Sequence, residues 1–194
     1  MPHTKNPLAM ISLSPSGVTF SGEEKGEEII LMLRAHIVTL VPPAALVVFL
    51  IFAPTVLGVL MQILGINLFA SLGSVQTLLL GVLWYFFVFG YAFYKFIFWY
   101  FNIYVLTNER VVDFDFKGVL HIETSYANLN QIQDVTPKRI GFFSTFFSFG
   151  SVFIQTAAEK SEFDFIHVPQ PNMVARAILN EIRKEQGEKP GETK

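Results

Sequence analysis

The chain contains no cysteine. That excludes disulfides, thiolate metal sites and thiol nucleophiles together, and leaves the compartment open. Charge is missing over a long stretch as well: from Ala35 to Tyr94 there is no Asp, Glu, Lys or Arg. A net charge of -2 gives no overall pull toward nucleic acid. No glycine-rich phosphate loop, no Gly-x-Ser-x-Gly elbow and no His pair at helical i, i+4 spacing occurs. No catalytic residue, cofactor site or metal site is therefore predicted, and the chain reads as non-enzymatic. Residues 1–19 hold no apolar core behind a basic cluster, so a cleaved leader is not expected and the first apolar segment should serve as its own insertion signal.

What is present is hydrophobic: 52% of 194 residues. A bilayer-spanning helix needs about 20 apolar residues, so the uncharged stretch holds two and the turn between them. The expected spans are about 35–66 and 75–101, a hairpin over 35–101 turning around Asn67–Ser74. Pro42, Pro43 and Pro54 fall in the first span and read as kinks, which membrane helices tolerate. The second span ends in aromatics. Trp99 and Tyr100 suit the headgroup level as interfacial anchors, Lys95 can snorkel to the same depth, and Arg34 stands at the hairpin entrance. Lys25 and Arg34 precede the first span, Lys95 and Arg110 end or follow the second, and the turn has no cation. Both termini are thus expected on the cytoplasmic side of a multi-pass protein of the cell membrane.

Residues 1–34 read as an N-terminal cytoplasmic segment. Its acidic run, Glu23, Glu24, Glu27 and Glu28, is expected to be solvated rather than to bind metal. Ile29 to Leu33 is either a strand against the later domain or a helical lead-in. From Asn102 the pattern changes to short alternating runs. Six strands are predicted near 103–106, 110–116, 120–126, 131–136, 150–156 and 162–168, with turns at Thr107-Asn108-Glu109, Lys117-Gly118 and Ala158–Ser161. Pro137 is read as the end of the fourth run. A helix over Asn172–Gln186 carries the apolar stripe Val174, Ala177, Ile178 and Ile182, stops at Gly187, and should close the open end of the sheet. The tail, 188–194, is expected to be disordered. The fold class is α+β: a two-helix transmembrane hairpin, then a domain over 102–187 that is an antiparallel β-barrel or sandwich closed by a C-terminal helix.

Tyr104-Val-Leu-Thr-Asn-Glu-Arg-Val111, the Leu129…Ile132-Gln-Asp-Val135 run, Phe149-Gly-Ser-Val152 with Ile154, Val168-Pro169 and Val174-Ala-Arg-Ala-Ile178 together carry a likeness, joined at the hairpin entrance by Glu27 and Arg34-Ala-His36. In these segments the chain resembles the bacterial pleckstrin-homology-like (PH-like) membrane proteins. The resemblance implies a PH-like domain beside the cytoplasmic membrane and no catalytic residues. Only one such domain is present, whereas some relatives look tandem.

Three sets of residues invite a chemical reading. Asp113 and Asp115 share a strand face and are expected to be solvated. His3, His36, His121 and His167 are scattered; His36 suits an interfacial role, and His121 a polar contact with Glu123. Lys138-Arg139 precede Phe142, Phe143, Phe146 and Phe147, whose near-helical spacing allows two arrangements. The rings either pack a short helix on the sheet, or contact membrane lipid with the two cations on anionic phosphates. The leading functional reading is a membrane-anchored binding or scaffold module at the inner leaflet, with a protein partner or its own copies as the ligand. The alternative is an anionic-lipid sensor working through Lys138, Arg139 and the Phe-rich loop. Nucleic acid is not an expected partner.

Overall fold

Alternating apolar residues from 103 onward and a charge-free run before them produce two kinds of structure in one chain. A computed structural model describes residues 8–15, 18, 20, 22–24, 26–66, 72–118, 121–157 and 162–187. The expected turn residues 67–71 and 158–161, Lys25, His3 and the tail 188–194 lie outside the described residues. The chain divides into two compact units, residues 1–38 with 98–194, and residues 39–97.

Among the described residues the first unit contains eight strands: β1 (Ile11–Leu13), β2 (Ile29–Arg34), β3 (Ile103–Thr107), β4 (Arg110–Gly118), β5 (His121–Asn128), β6 (Ile132–Lys138), β7 (Phe149–Thr156) and β8 (Glu162–Pro169). All pairings are antiparallel. Strands β1 to β5 form one meander and β6 to β8 a second, so the domain is two sheets and not a closed barrel. The chain leaves the first sheet at a 3₁₀ turn, Leu129–Gln131. Two strands more than the six expected come from the N-terminal segment, which settles Ile29–Leu33 as strand. Pro137 lies inside β6 rather than ending it; β6 is an edge strand, where a missing N–H breaks no second ladder.

Leu31, Leu33, Tyr104, Leu106 and Val111 from one sheet meet Val152, Ile154, Phe165 and Val168 from the other. The helix α4 (Pro171–Glu185) covers this core with Val174, Ala175, Ile178 and Ile182. Its stripe packs on β6 and β7, as a helix closing the sheets should.

Val112, Phe114 and Phe116 alternate with Asp113 and Asp115, and both faces of β4 turn out to be covered. Asp113 lies opposite Tyr104 in register and is half-buried with Asp115, rather than solvated as expected. Phe114 meets Phe20, and Phe116 meets Phe98 and Phe101, on the other face.

The second unit carries α1 (Val41–Ile63) and most of α2 (Ser74–Phe101). With the 3₁₀ turn before it, the first helical segment is 27 residues long and the second 28. Both are long and apolar enough to cross a membrane, and most of their apolar side chains are exposed. Pro42 and Pro43 sit in the first turn of α1, where the absent N–H groups had no helical partners. Only Pro54 is interior. It cannot donate to the Leu50 carbonyl, and its ring crowds that carbonyl. The Leu50 carbonyl so freed is met from α2, where Trp84 Nε1 donates to it at 3.0 Å; the Tyr85 hydroxyl donates to the adjacent Ile51 O at 3.3 Å.

Candidate ligand-contact surface and its structural supports

The Leu-Thr-Asn-Glu-Arg stretch resolves into a clasp. The buried Thr107 Oγ1 accepts the N–H groups of Glu109 and Arg110, which closes the β3–β4 turn, and donates to Glu27 Oε1 at 2.8 Å. Asn108 Oδ1 accepts the Glu28 N–H, and its amide donates to Gly26 O. Arg110 completes the clasp with Nε to Glu27 Oε1 at 2.9 Å and Nη2 to Glu27 Oε2 at 2.7 Å. Glu23, Glu24 and Glu28 are exposed as expected of the acidic run, but Glu27 is only 5% exposed. The solvated reading is corrected for that residue. Burial alone would raise the Glu27 pKa; donors from Arg110, the Glu24 N–H and Thr107 outweigh it and hold the carboxyl below its ordinary value. The hydrogen bond from its guanidinium to Glu27 raises Arg110 correspondingly. These contacts tie the β3–β4 turn to the segment that precedes β2.

A second set of supports joins residues 98–102 to the strands. Arg34 is buried, donates from Nε to Tyr100 O at 2.9 Å and from Nη1 to Ala9 O at 3.2 Å, and lies 4.6 Å from the Tyr100 ring. Burial lowers its pKa. Trp99 is buried, with Nε1 donating to Ala35 O at 2.8 Å. In the other unit Lys95 is exposed, with Nζ 5.8 Å from the rings of both Tyr91 and Tyr94.

His36 and His167 flank the Phe149 ring, at centroid distances of 5.4 and 6.0 Å. His36 is half-buried, its Nδ1 accepts the Val38 N–H, and burial lowers its pKa. Burial, with Asp113, Asp115 and Asp164 nearby, pushes the Tyr104 hydroxyl far above the ordinary tyrosine range; its oxygen accepts the Ile166 N–H. No group of three metal-ligating side chains converges among the described residues.

The surface most unlike an ordinary soluble face is the Phe-rich segment. A short helix, α3 (Phe142–Phe146), follows Gly141, whose φ of +99° suits glycine. Ser144 is its buried position, with Oγ donating to Gly141 O at 2.7 Å. A helix of five residues has one inward position, and a serine occupies it. The rings therefore face out: Phe142 is 77% exposed, Phe143 66%, Phe146 71% and Phe147 43%, and the neighbouring Ile140 82%. The arrangement with these rings in the core is thus overturned. Phe142 stacks on Phe146, and Phe143 and Phe147 meet them edge-on. Lys138 and Arg139 are exposed beside the row, Lys138 Nζ lying 4.5 Å from the Phe153 ring. Arg139 lines a cleft with Arg176 of α4, a neighbour that nothing in the sequence places next to it.

A family model described as the bacterial PH domain matches residues 37–182. Among solved structures the chain is similar to a DUF1696 family protein with a pleckstrin-homology domain from Shewanella loihica PV-4. Identity is 18%, the match covers 42% of this chain and 70% of that chain, and the TM-score is 0.34. No curated protein matches the chain.

Proposed function

The chain belongs to the bacterial PH domain family, and on that premise we propose that it is a non-enzymatic binding module anchored in the cytoplasmic membrane. The observation that carries this reading is the pair of helices, 27 and 28 residues long, most of whose apolar side chains are exposed. Lipid covers such surfaces at no cost in exposed backbone, because every helical hydrogen bond is internal. The hairpin spans the bilayer and both termini lie inside, following the cations at its two ends. The PH-like domain is then held at the inner leaflet, where binding orients the domain rather than recruits it.

Two ligand classes suit the domain. The exposed ring row beside Lys138 and Arg139 favours the anionic membrane surface, since apolar patches on this scale mark contact sites. A protein partner or a second copy is favoured by β5, an eight-residue, proline-free strand at the edge of its sheet, open to strand addition.

The absence of cysteine makes the anchoring directly testable. In one variant Ile66→Cys marks the hairpin turn; in another Glu185→Cys marks the end of α4. In intact spheroplasts an impermeant maleimide should label the first and reach the second only after permeabilisation. Labelling of Glu185→Cys without permeabilisation, or of Ile66→Cys only after it, overturns the orientation.

A further inference from the structure

Taking the lipid reading as its premise, we propose that Arg139 and Arg176 form a specific site for the phosphate of an anionic phospholipid, with the Phe142–Phe147 row as the apolar shelf beside its acyl chains. The site is a cleft of about 570 Å³ between the end of β6 and the start of α4, within the size range of small-ligand pockets. Its lining includes Arg139, Ser148, Gln170, Asn172, Met173 and Arg176, and no carboxylate. Among the described residues neither guanidinium has an ion pair or a hydrogen bond. Two unpaired guanidiniums on one cleft repel each other and match a phosphate, which each can grip with two parallel N–H groups.

Gly150 is what brings the two elements together. A Cβ there would collide with the Lys138 carbonyl and lie 3.0 Å from both Arg139 Cγ and Pro171 Cγ. Hydrogen at this position lets the Arg139 stem and the first residue of α4 share the space over β7. The cleft wall is completed where Gln170 N donates to Ser148 O at 2.8 Å, both residues having left-handed backbones. The charge then selects among lipids. Arg139 stands three residues before Phe142, so a ligand seated on the arginines meets exposed rings at once. Free phosphate uses only the cationic half of this surface; a phospholipid uses both.

The test uses the full chain reconstituted in phosphatidylcholine bilayers containing a minority of phosphatidylglycerol with a photoreactive diazirine near its headgroup. After irradiation, adducts should map to peptides covering residues 139–147 and 170–180. The double variant Arg139→Ala/Arg176→Ala should lose about tenfold or more of these adducts, as expected for removing charge-assisted contacts. Both arginines are exposed, so the variant should fold, and circular dichroism checks that. Arg139→Lys/Arg176→Lys should restore part of the signal, and the phosphatidylcholine analogue of the probe should label the segment far less. Equal labelling of wild type and the Ala variant overturns the site while leaving anionic-lipid contact standing. Equal labelling by both probes overturns the lipid reading and the site with it. Loss of the adducts on adding inorganic phosphate assigns the arginines to a free anion and also overturns the proposal.

Discussion

Trp84 of α2 donates its indole N–H to the Leu50 carbonyl that Pro54 leaves without a partner in α1. A helix-breaking residue in one helix is thus satisfied by an aromatic donor in the other, which fixes the register of the pair. In lipid an unmet carbonyl has no water to turn to. Trp84→Phe should weaken helix association by about 0.6–1.7 kcal/mol. In a Pro54→Ala background Leu50 regains its own helical donor, so the same substitution should have a smaller effect. Steric-trapping measurements on the four variants of the cycle check this.

Glu27 and Arg110 should be the most sensitive polar pair in the domain. Glu27→Ala removes the acceptor of Thr107 and of two Arg110 donors. Breaking a buried pair costs about 3–5 kcal/mol, and the slight exposure of Arg110 puts the expected loss near about 3 kcal/mol. Trp84 and Trp99 are the two tryptophans of the chain, so in a Trp84→Phe background the buried Trp99 reports this loss by fluorescence.

Stability of the strand unit should fall in two steps on acidification. The Glu27 pKa lies below its ordinary 4.5, so its contribution is complete above that value and lost as pH falls through the folded-state pKa. Burial lowers His36 below its ordinary 6.5, so the unfolded chain takes up its proton first and stability declines below pH 6.5. Thermal melts across pH should show both steps. His36→Asn should remove the upper one and Glu27→Ala the lower.

Gly150→Ala should destabilise by about 1–3 kcal/mol, since the added methyl group meets a backbone carbonyl that cannot move freely. Phe142→Ser and Phe146→Ser, at exposed positions, should stay within about 0.5 kcal/mol of the parent. Denaturant titration followed through Trp99 distinguishes the two classes.

The long helices and the six later strands were legible because their signals are local. Sixty residues without charge leave few alternatives to apolar helices, and alternation marks β3 to β8 within about two residues. Five features were not legible. The β2 strand depends on partners about 70 residues away in sequence, and Glu27 looks like its solvated neighbours until Arg110 is folded against it. Asp113 and Asp115 alternate with phenylalanine, but Phe98 and Phe101 cover that phenylalanine face, so alternation could not say which side was interior. The outward turn of the Phe row depends on Ser144 taking the single inward position of α3. Arg176 is exposed on α4, 37 residues from Arg139 in sequence, and the close approach at Gly150 sets the two elements side by side.

Extraction of membranes from cells expressing the intact chain tests the anchoring most directly. After washing with alkaline carbonate, which strips peripheral proteins, the chain should stay in the membrane pellet and enter solution only with detergent. Recovery of the intact chain in the carbonate supernatant would contradict it.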